Sequence, residues 1–222
     1  MKNLWNSALA AEYKSDLEQR VYSSRLLGLD PSLVLHGGGN TSVKIEEPNL
    51  LGDLEQILYV KGSGWDLATI EAAGYTPIRM NHLLQLAKLE SLSDSQMVNE
   101  MKTHQTIASA PTGSVEAILH AALPYKFVDH THADAVVTIT NTAGGEDRIR
   151  QVYGDQVVII PYVMPGFDLA RMVAERFARE AGPDTRGMIL MNHGIFSFAE
   201  TAQESYERMI DLVGLAEQYL RE

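Results

Sequence analysis

The order of apolar and polar residues along the chain predicts short strands that alternate with helices. Strands are predicted where β-favouring residues run between turn signals, at residues 42–45, 57–62, 126–132 and 156–163. The sequence GMILMNHGIFSFAE is typical of a strand, a turn and a second strand. Helices are predicted over residues 4–27, 79–90, 114–123, 168–180 and 200–220, with a short one after the loop that begins at residue 62. This alternation predicts a central sheet covered by helices, with mixed or antiparallel pairing.

The chain shows no internal repeat, low-complexity tract or long linker. Its 222 residues are enough for one large domain with a buried core, so we expect a single domain over residues 1–222. The segment AVVTIT, residues 135–140, has strand propensity, although a helix is also open there. Aromatic residues in the terminal segments, such as Trp5, Tyr13, Tyr206 and Tyr219, either pack between subunits or close the chain's own core.

Charge and composition exclude several classes of partner and site. With 18 Lys and Arg against 29 Asp and Glu, the net charge of −11 argues against nucleic acid and anionic membranes as partners. The chain has no cysteine, so a transition-metal site must use histidine and carboxylate ligands. The charged N-terminus lacks the apolar core of a signal peptide, and no apolar stretch approaches about 18 residues. We therefore expect a cytoplasmic protein.

Three histidines are candidates for a metal site. His130 and His132 are one residue apart on a predicted strand, where alternate side chains project from the same face. His193 follows an apolar strand at a glycine turn. Each also has a simpler interpretation, as a half-buried polar residue or a turn residue bonded to backbone. Three histidines together would suit a tetrahedral Zn²⁺ with an open fourth position.

Glu116 and three glycine-bearing turns are the other candidate functional features. Glu116 is predicted in the first turn of a helix, where it either complements the helix dipole or serves as a general base beside a metal. The sequences HGGGNTS, KGSG and TGS can present backbone N–H groups to an anion. None matches a P-loop or a dinucleotide fingerprint. His82 and His120 lie in helical patterns that favour core or surface positions, and His36 and His104 receive no role.

The order of GGGNTSVK, VKGSG, GSVEAILH, DHTHADAV and MNHGIF resembles the class II aldolase/adducin family over essentially the whole chain. The likeness is greatest to the aldolase half of bifunctional rhamnulose-phosphate aldolase/alcohol dehydrogenase proteins, through VKGSGWDL, VDHTHADAV, MPGFDLA and HGIFSFAETAQESYERMI. The resemblance implies a three-layer α/β/α fold with a central mixed, largely antiparallel sheet. It also implies a helix for AVVTIT, against the strand propensity of that segment.

The resemblance assigns roles to residues that match the family's motifs. It implies one Zn²⁺, or another divalent ion, held by His130, His132 and His193, with Glu116 as the catalytic glutamate. It implies a substrate phosphate bound by Gly39, Asn40, Ser63, Gly64 and Ser114. Val115 stands where fuculose-phosphate aldolase has a further hydroxyl, and Lys61 is a candidate to compensate. Tyr153 is the nearest match to the tyrosines that assist at the aldehyde end.

The implied activity is reversible cleavage of a phosphorylated sugar, a ketose 1-phosphate of the rhamnulose or fuculose type, to dihydroxyacetone phosphate and an aldehyde. The implied assembly is a homotetramer. Decarboxylase, dehydratase and epimerase chemistry on the same site are alternatives, although the epimerase branch has aspartate where this chain has Glu116. A non-catalytic, adducin-like interaction domain is a further alternative, which the three histidines disfavour because adducin-like proteins lack them.

Overall fold

A computed structural model describes all 222 residues of the chain. Seven strands form one sheet in the order β3–β2–β1–β4–β7–β6–β5. The strands are β1 Asn40–Pro48, β2 Leu54–Lys61, β3 Tyr75–Arg79, β4 Phe127–Thr131, β5 Val157–Ile160, β6 Gly187–Leu190 and β7 Gly194–Ala199. Every neighbouring pair is antiparallel except β5 and β6, which are parallel. The predicted mixed, largely antiparallel sheet is therefore confirmed.

Nine α-helices cover the two faces of the sheet. They are α1 Ser7–Ala10, α2 Asp16–Gly28, α3 Met80–Leu86, α4 Asp94–Thr103, α5 Ala117–Ala122, α6 Asp134–Thr140, α7 Gly145–Tyr153, α8 Phe167–Glu180 and α9 Ala202–Arg221. One apolar core joins the sheet to α3, α4, α5 and α8, and a second joins it to α2, α6, α7 and α9. These two cores give the predicted three layers. None of the helices is long and apolar enough to cross a membrane.

The central strands are fixed to α2 by a buried ion pair. Arg20 of α2 faces Asp129 of β4, and both side chains are inaccessible to solvent. Arg20 also donates to the Ser42 and Val128 carbonyls of the paired strands β1 and β4, at 3.3 and 3.4 Å. Ser205 of α9 donates to the second Asp129 oxygen at 2.5 Å. The guanidinium and carboxylate thus connect two helices to the middle of the sheet.

Several predicted elements differ from the observed ones. The predicted helix over residues 4–27 is interrupted, because Asn6 caps α1 and a capping box at Ser15 starts α2 separately. The edge strand β3 was not predicted, since it contains Pro77, which is tolerated at a sheet edge. Helices α4 and α7 were also not predicted. The segment AVVTIT is helical, as the family resemblance implied.

The terminal aromatic residues close the chain's own core. Tyr206 is fully buried, and Trp5, Tyr13 and Tyr219 pack against the same core as α2 and α9. Trp5 meets the Tyr22 ring edge-on at 5.0 Å. Of the two interpretations drawn from the sequence, packing within the chain is therefore the observed one.

Candidate active site

Strand pairing brings the three candidate histidines together. His130 lies in β4, and His132 is the first residue past the strand's end, not a strand residue as predicted. His193 occupies the turn between β6 and β7, where Asn192 adopts a left-handed φ of 58°. Because β4 and β7 are antiparallel neighbours, this turn lies beside the end of β4. The His130 Nε2 atom is 3.1 Å from His132 Nε2 and 3.3 Å from His193 Nε2.

A glycine is required where the turn meets the histidines. A Cβ at Gly194 would lie 2.3 Å from the Thr131 carbonyl oxygen and 3.0 Å from the His130 ring. No side chain fits at that separation, so a larger residue would push β7 away from the end of β4. A glycine is also required at Gly39, which has a φ of 66° and immediately precedes β1, the other neighbour of β4. A Cβ there would lie 2.7 Å from the His130 carbonyl oxygen.

His130 presents an unprotonated nitrogen to the other two histidines. His130 Nδ1 lies 3.1 Å from the Ile195 carbonyl, which can only accept, so Nδ1 carries the proton and Nε2 a lone pair. Burial lowers the pKa of His130 well below its usual value, and the two neighbouring histidines lower it further. Burial also lowers the pKa values of His132 and His193, although Glu116 opposes the shift for His193. All three rings are therefore neutral near pH 7.

The donor set fits a divalent metal ion. Tetrahedral nitrogen ligands with bonds of about 2.0–2.1 Å are separated from one another by about 3.3 Å. The Nε2 separations of 3.1 and 3.3 Å in the structure match that spacing. Nitrogens this close either share a hydrogen bond, as neutral rings can, or bind one cation together. His130, His132 and His193 are thus a group that could hold such an ion.

Glu116 faces the histidine cluster from the start of α5. It is the residue before the first helical one, at the N-cap, and not in the first turn as predicted. Its Oε2 atom accepts a hydrogen bond from Asn40 Nδ2 at 2.6 Å and lies 3.6 Å from His130 Nε2. Its Oε1 atom is buried without a hydrogen-bond partner and lies 3.7 Å from His193 Nε2. Burial raises the pKa of Glu116, while His193 and the Asn40 hydrogen bond lower it.

The glycine-bearing turns form the wall of a cavity of about 300 Å³ over this cluster. Its lining includes Gly39, Asn40, Lys61, Ser63, Ser114, Glu116, His132 and His193. Backbone hydrogen bonds hold two of the turns together, from Ser63 N to the Thr112 carbonyl at 2.8 Å and from Ser114 N to the Lys61 carbonyl at 3.1 Å. Four larger hollows, of about 380 to 610 Å³, contain none of the three histidines. The chemistry of the lining therefore identifies the site better than its size.

Some predicted residues lie outside the cavity lining. Gly64, at φ 85°, belongs to the same turn as Ser63 but does not line the cavity, and His130 is fully buried beneath it. Tyr153 is buried in the core beside α9, where its hydroxyl donates to the Leu212 carbonyl at 3.0 Å. The suggested assistance by Tyr153 at the aldehyde end is therefore wrong.

The cavity contains one lysine or arginine side chain, that of Lys61. Its ammonium donates to the Gly37 carbonyl at 3.0 Å, in the first glycine loop. Burial lowers the pKa of Lys61, and the negative charge of Asp66 opposes that shift. Lys61 is the local positive charge that an anionic ligand requires in a chain of net charge −11.

Two histidine arrangements were not predicted from the sequence. His120, interpreted there as a core or surface residue, is buried and bonded to Asn40 and Ser42. A second group, formed by His82, Glu100 and His104, lies half-buried between α3 and α4. Its donors are already engaged, since His82 Nε2 is 2.8 Å from Glu100 and His104 Nδ1 is 2.8 Å from the Glu100 carbonyl. His120 follows Glu116 by four residues, but that spacing does not reveal its partners on β1.

The chain is similar in sequence to one protein family and to one curated relative. A family model described as class II aldolase and adducin N-terminal domain matches residues 18–220. The chain is 36% identical over all its 222 residues to the uncharacterized oxidoreductase YuxG of Bacillus subtilis (strain 168) and spans 32% of that relative's length.

Two solved structures extend the comparison. The N-terminal class II aldolase domain of a conserved protein from Thermoplasma acidophilum is 44% identical to this chain, with a TM-score of 0.91 and 99% of both chains covered. The L-fuculose-1-phosphate aldolase of Thermus thermophilus is 16% identical, with a TM-score of 0.56 over 91% of this chain and 94% of its own. At that identity the likeness concerns the fold alone.

Proposed function

This chain belongs to the class II aldolase and adducin N-terminal domain family, and we propose that it is a metal-dependent aldehyde-lyase. The proposed reaction is reversible cleavage of a ketose 1-phosphate, of the rhamnulose or fuculose phosphate type, to dihydroxyacetone phosphate and an aldehyde. The proposal rests on one cavity that brings together three histidines able to hold a metal ion, the buried carboxyl group of Glu116, and glycine-bearing turns with the positively charged Lys61.

In this proposal His130, His132 and His193 hold one Zn²⁺, or another divalent ion, per chain. When bound, the ion supplies Lewis-acid stabilisation of the negative charge that develops on the substrate oxygens. The protein's contribution is to orient the ligands. The Ile195 carbonyl fixes the His130 ring and its tautomer, and such outer hydrogen bonds orient metal ligands in general.

Glu116 is proposed to move the proton. When the carbon–carbon bond of the substrate breaks, the hydroxyl group that becomes the aldehyde loses its proton to water, and the dihydroxyacetone phosphate carbon keeps the electron pair and must gain a proton; uptake of a proton from water then restores the Glu116 carboxyl group. Burial raises the pKa of Glu116, which favours a protonated carboxyl that can give this proton and take it back in the reverse reaction. The unpartnered Oε1 atom is free for that exchange.

The glycine-bearing turns are proposed to hold the substrate phosphate and so fix the reacting carbons relative to Glu116. The proposed contacts come from Gly39, Asn40, Ser63 and Ser114, which line the cavity, and Gly64 lies in the same turn as Ser63. Lys61 adds a positive charge in the same cavity, which supports its proposed compensation for the hydroxyl that Val115 lacks. Gly64 contributes to the shape of its turn, since its φ of 85° is one that other residues rarely adopt.

A substrate screen tests the proposal. Zn²⁺-loaded protein is incubated with several ketose 1-phosphates and sugar acids, and the release of dihydroxyacetone phosphate and of CO₂ is measured. We expect dihydroxyacetone phosphate from at least one ketose 1-phosphate, and its release should be much slower from the Glu116→Gln variant. Release of CO₂ from a sugar acid, without cleavage of any ketose phosphate, would replace the aldolase with a decarboxylase on the same site.

We further propose a homotetramer. Its structural support is an exposed apolar surface at the β1–β2 turn, where Leu50, Leu51 and Leu54 are 101, 86 and 67% exposed. Apolar groups clustered in this way favour burial against a partner. Light scattering of dilute protein tests the proposal, and a monomeric mass in active protein would contradict it.

A further inference from the structure

Four side chains form a continuous buried hydrogen-bond relay that ends at Glu116. Ser42 Oγ is 2.8 Å from His120 Nδ1, and His120 Nε2 is 2.5 Å from Asn40 Oδ1. Asn40 Nδ2 is 2.6 Å from Glu116 Oε2. Ser42 and His120 are fully buried, and Asn40 and Glu116 are 8 and 6% exposed. Asn40 and Glu116 line the cavity, whereas Ser42 and His120 do not.

The relay follows from the periods of a strand and a helix. Asn40 and Ser42 are two residues apart on β1 and project from the same face of the sheet. Glu116 and His120 are four residues apart at the start of α5, so they lie one above the other on one helix face. When α5 packs on the sheet, His120 meets both Asn40 and Ser42, and Glu116 meets Asn40.

The relay has one consistent direction of hydrogen bonding when Glu116 is ionised. A carboxylate only accepts, so Asn40 donates from Nδ2 and presents Oδ1 to His120. His120 must then carry its proton on Nε2, and its Nδ1 accepts from the Ser42 hydroxyl. Burial, followed by the charges of Lys44 and Arg20, lowers the pKa of His120 to about 3, which keeps the ring neutral with one proton.

We propose that His120 is a positioning residue that, through Asn40, anchors Oε2 of Glu116 and leaves Oε1 as the oxygen that exchanges the proton with substrate. This inference rests on the proposed function. The two oxygens already differ, because Oε2 accepts from Asn40 whereas Oε1 has no partner. The second hydrogen on Asn40 Nδ2 stays available to a substrate oxygen, so this role of Asn40 is compatible with a phosphate contact.

A purely structural role for His120 makes different predictions. The ring packs edge-on against Phe196 with centroids 5.4 Å apart, and an apolar ring would satisfy that contact equally well. His120→Phe therefore keeps the packing and removes the relay. His120→Gln is the matched variant, because its amide can donate to Asn40 from nearly the same place as Nε2 while giving up the aromatic packing.

Kinetics of the metal-loaded protein separate the two roles. We expect His120→Phe to lower kcat roughly 10- to 100-fold, by analogy with the loss of a hydrogen-bond partner of a metal ligand, with little change in KM and unchanged metal content. His120→Gln should recover most of the loss. In a Glu116→Gln background, His120→Phe should have little further effect, because the relay acts through the carboxyl group. Wild-type kcat in folded His120→Phe, or equal losses in both His120 variants, would overturn the proposal.

Nitrogen-15 NMR of histidine-labelled protein tests the relay without any substrate. We expect the His120 signals of a neutral ring protonated on Nε2 between pH 5.5 and 8. Glu116→Leu removes the acceptor that orients the Asn40 amide, so the His120 signals should move toward a mixture of tautomers. An Nδ1-protonated ring in the wild type, or unchanged signals in Glu116→Leu, would overturn the relay. If the relay signals appear but no ketose phosphate is cleaved, the proposed function fails and the link between His120 and Glu116 stands.

Discussion

Replacing Asp129 with Asn should destabilise the protein strongly, although the two side chains have nearly the same shape. Asp129 is fully buried and forms an ion pair with Arg20, which is fully buried as well. The amide cannot neutralise the guanidinium, so the variant leaves one positive charge in the core. Breaking a buried ion pair by removing one partner typically costs about 3–5 kcal/mol.

The magnitude follows from the environment of the pair. Arg20 retains two serine hydroxyls and two strand carbonyls as acceptors, which moderates the loss and places the expected value near the lower end, at about 3 kcal/mol. For a chain of this length each kcal/mol lowers the midpoint of thermal unfolding by about 2–4 °C. We therefore expect Asp129→Asn to lower the Tm by about 6–12 °C.

Denaturant and thermal unfolding measure this loss, with an exposed ion pair as the control. Glu146 accepts from Arg150 at 2.6 Å on the surface of α7, where both side chains are about half exposed. Glu146→Gln should cost less than about 0.5 kcal/mol, because water screens that pair. A double variant, Arg20→Met with Asp129→Leu, should recover part of the loss by removing both charges. Equal small losses in Asp129→Asn and Glu146→Gln would refute the argument that the Arg20 charge is buried.

Three further predictions concern the site. His193→Ala should sharply reduce the bound metal in elemental analysis, whereas His82→Ala, in the second histidine group, should leave it near one ion per chain; unchanged content in His193→Ala would remove that residue from the site. Glu116→Gln should keep the metal and lose roughly 10²- to 10⁴-fold in kcat, and near-wild-type turnover would contradict its role as the proton carrier. Acidification from pH 7 to 5 should lower the free energy of unfolding of the metal-free protein by about 2 kcal/mol through His120 alone. The His120 pKa is about 3 in the folded protein and about 6.5 in the unfolded chain, so only the unfolded chain takes up the proton. The same pH change should cost His120→Phe less in denaturant unfolding, and an equal loss in both proteins would contradict this assignment.

The sequence predicts the metal-type histidines better than the way they are held. Two local features are visible in the sequence alone. They are the spacing of His130 and His132 and the glycine after His193. Their approach to one another depends on β7 pairing with β4, a long-range contact that no local pattern specifies. The family resemblance supplied that link, and the structure brings the three rings together.

His120 could not be recognised from the sequence for a physical reason. A histidine one turn into an apolar helix is typical of a core residue, and His120 is indeed buried in the core. Its function in the relay depends on Asn40 and Ser42, which are 80 and 78 residues away and are placed beside it only by the packing of α5 on β1. Strand β3 was missed for a similar reason, since its place in the sheet is not visible in the sequence. It lies at the edge of the sheet, which tolerates Pro77, whereas a central strand would not.

One face of β4 carries a buried ion pair that stabilises the fold, and the other face carries part of the candidate active site. Asp129 and His130 are adjacent, so the strand's pleat directs them to opposite faces. Asp129 meets Arg20 of α2 on one face, and His130 meets His132, His193 and the carboxyl group of Glu116 on the other. A change on the first face should therefore lower the free energy of unfolding but leave the metal content of folded protein unchanged. Loss of metal in folded Asp129→Asn would show that the ion pair also orients His130, and that the two faces of the strand are not independent.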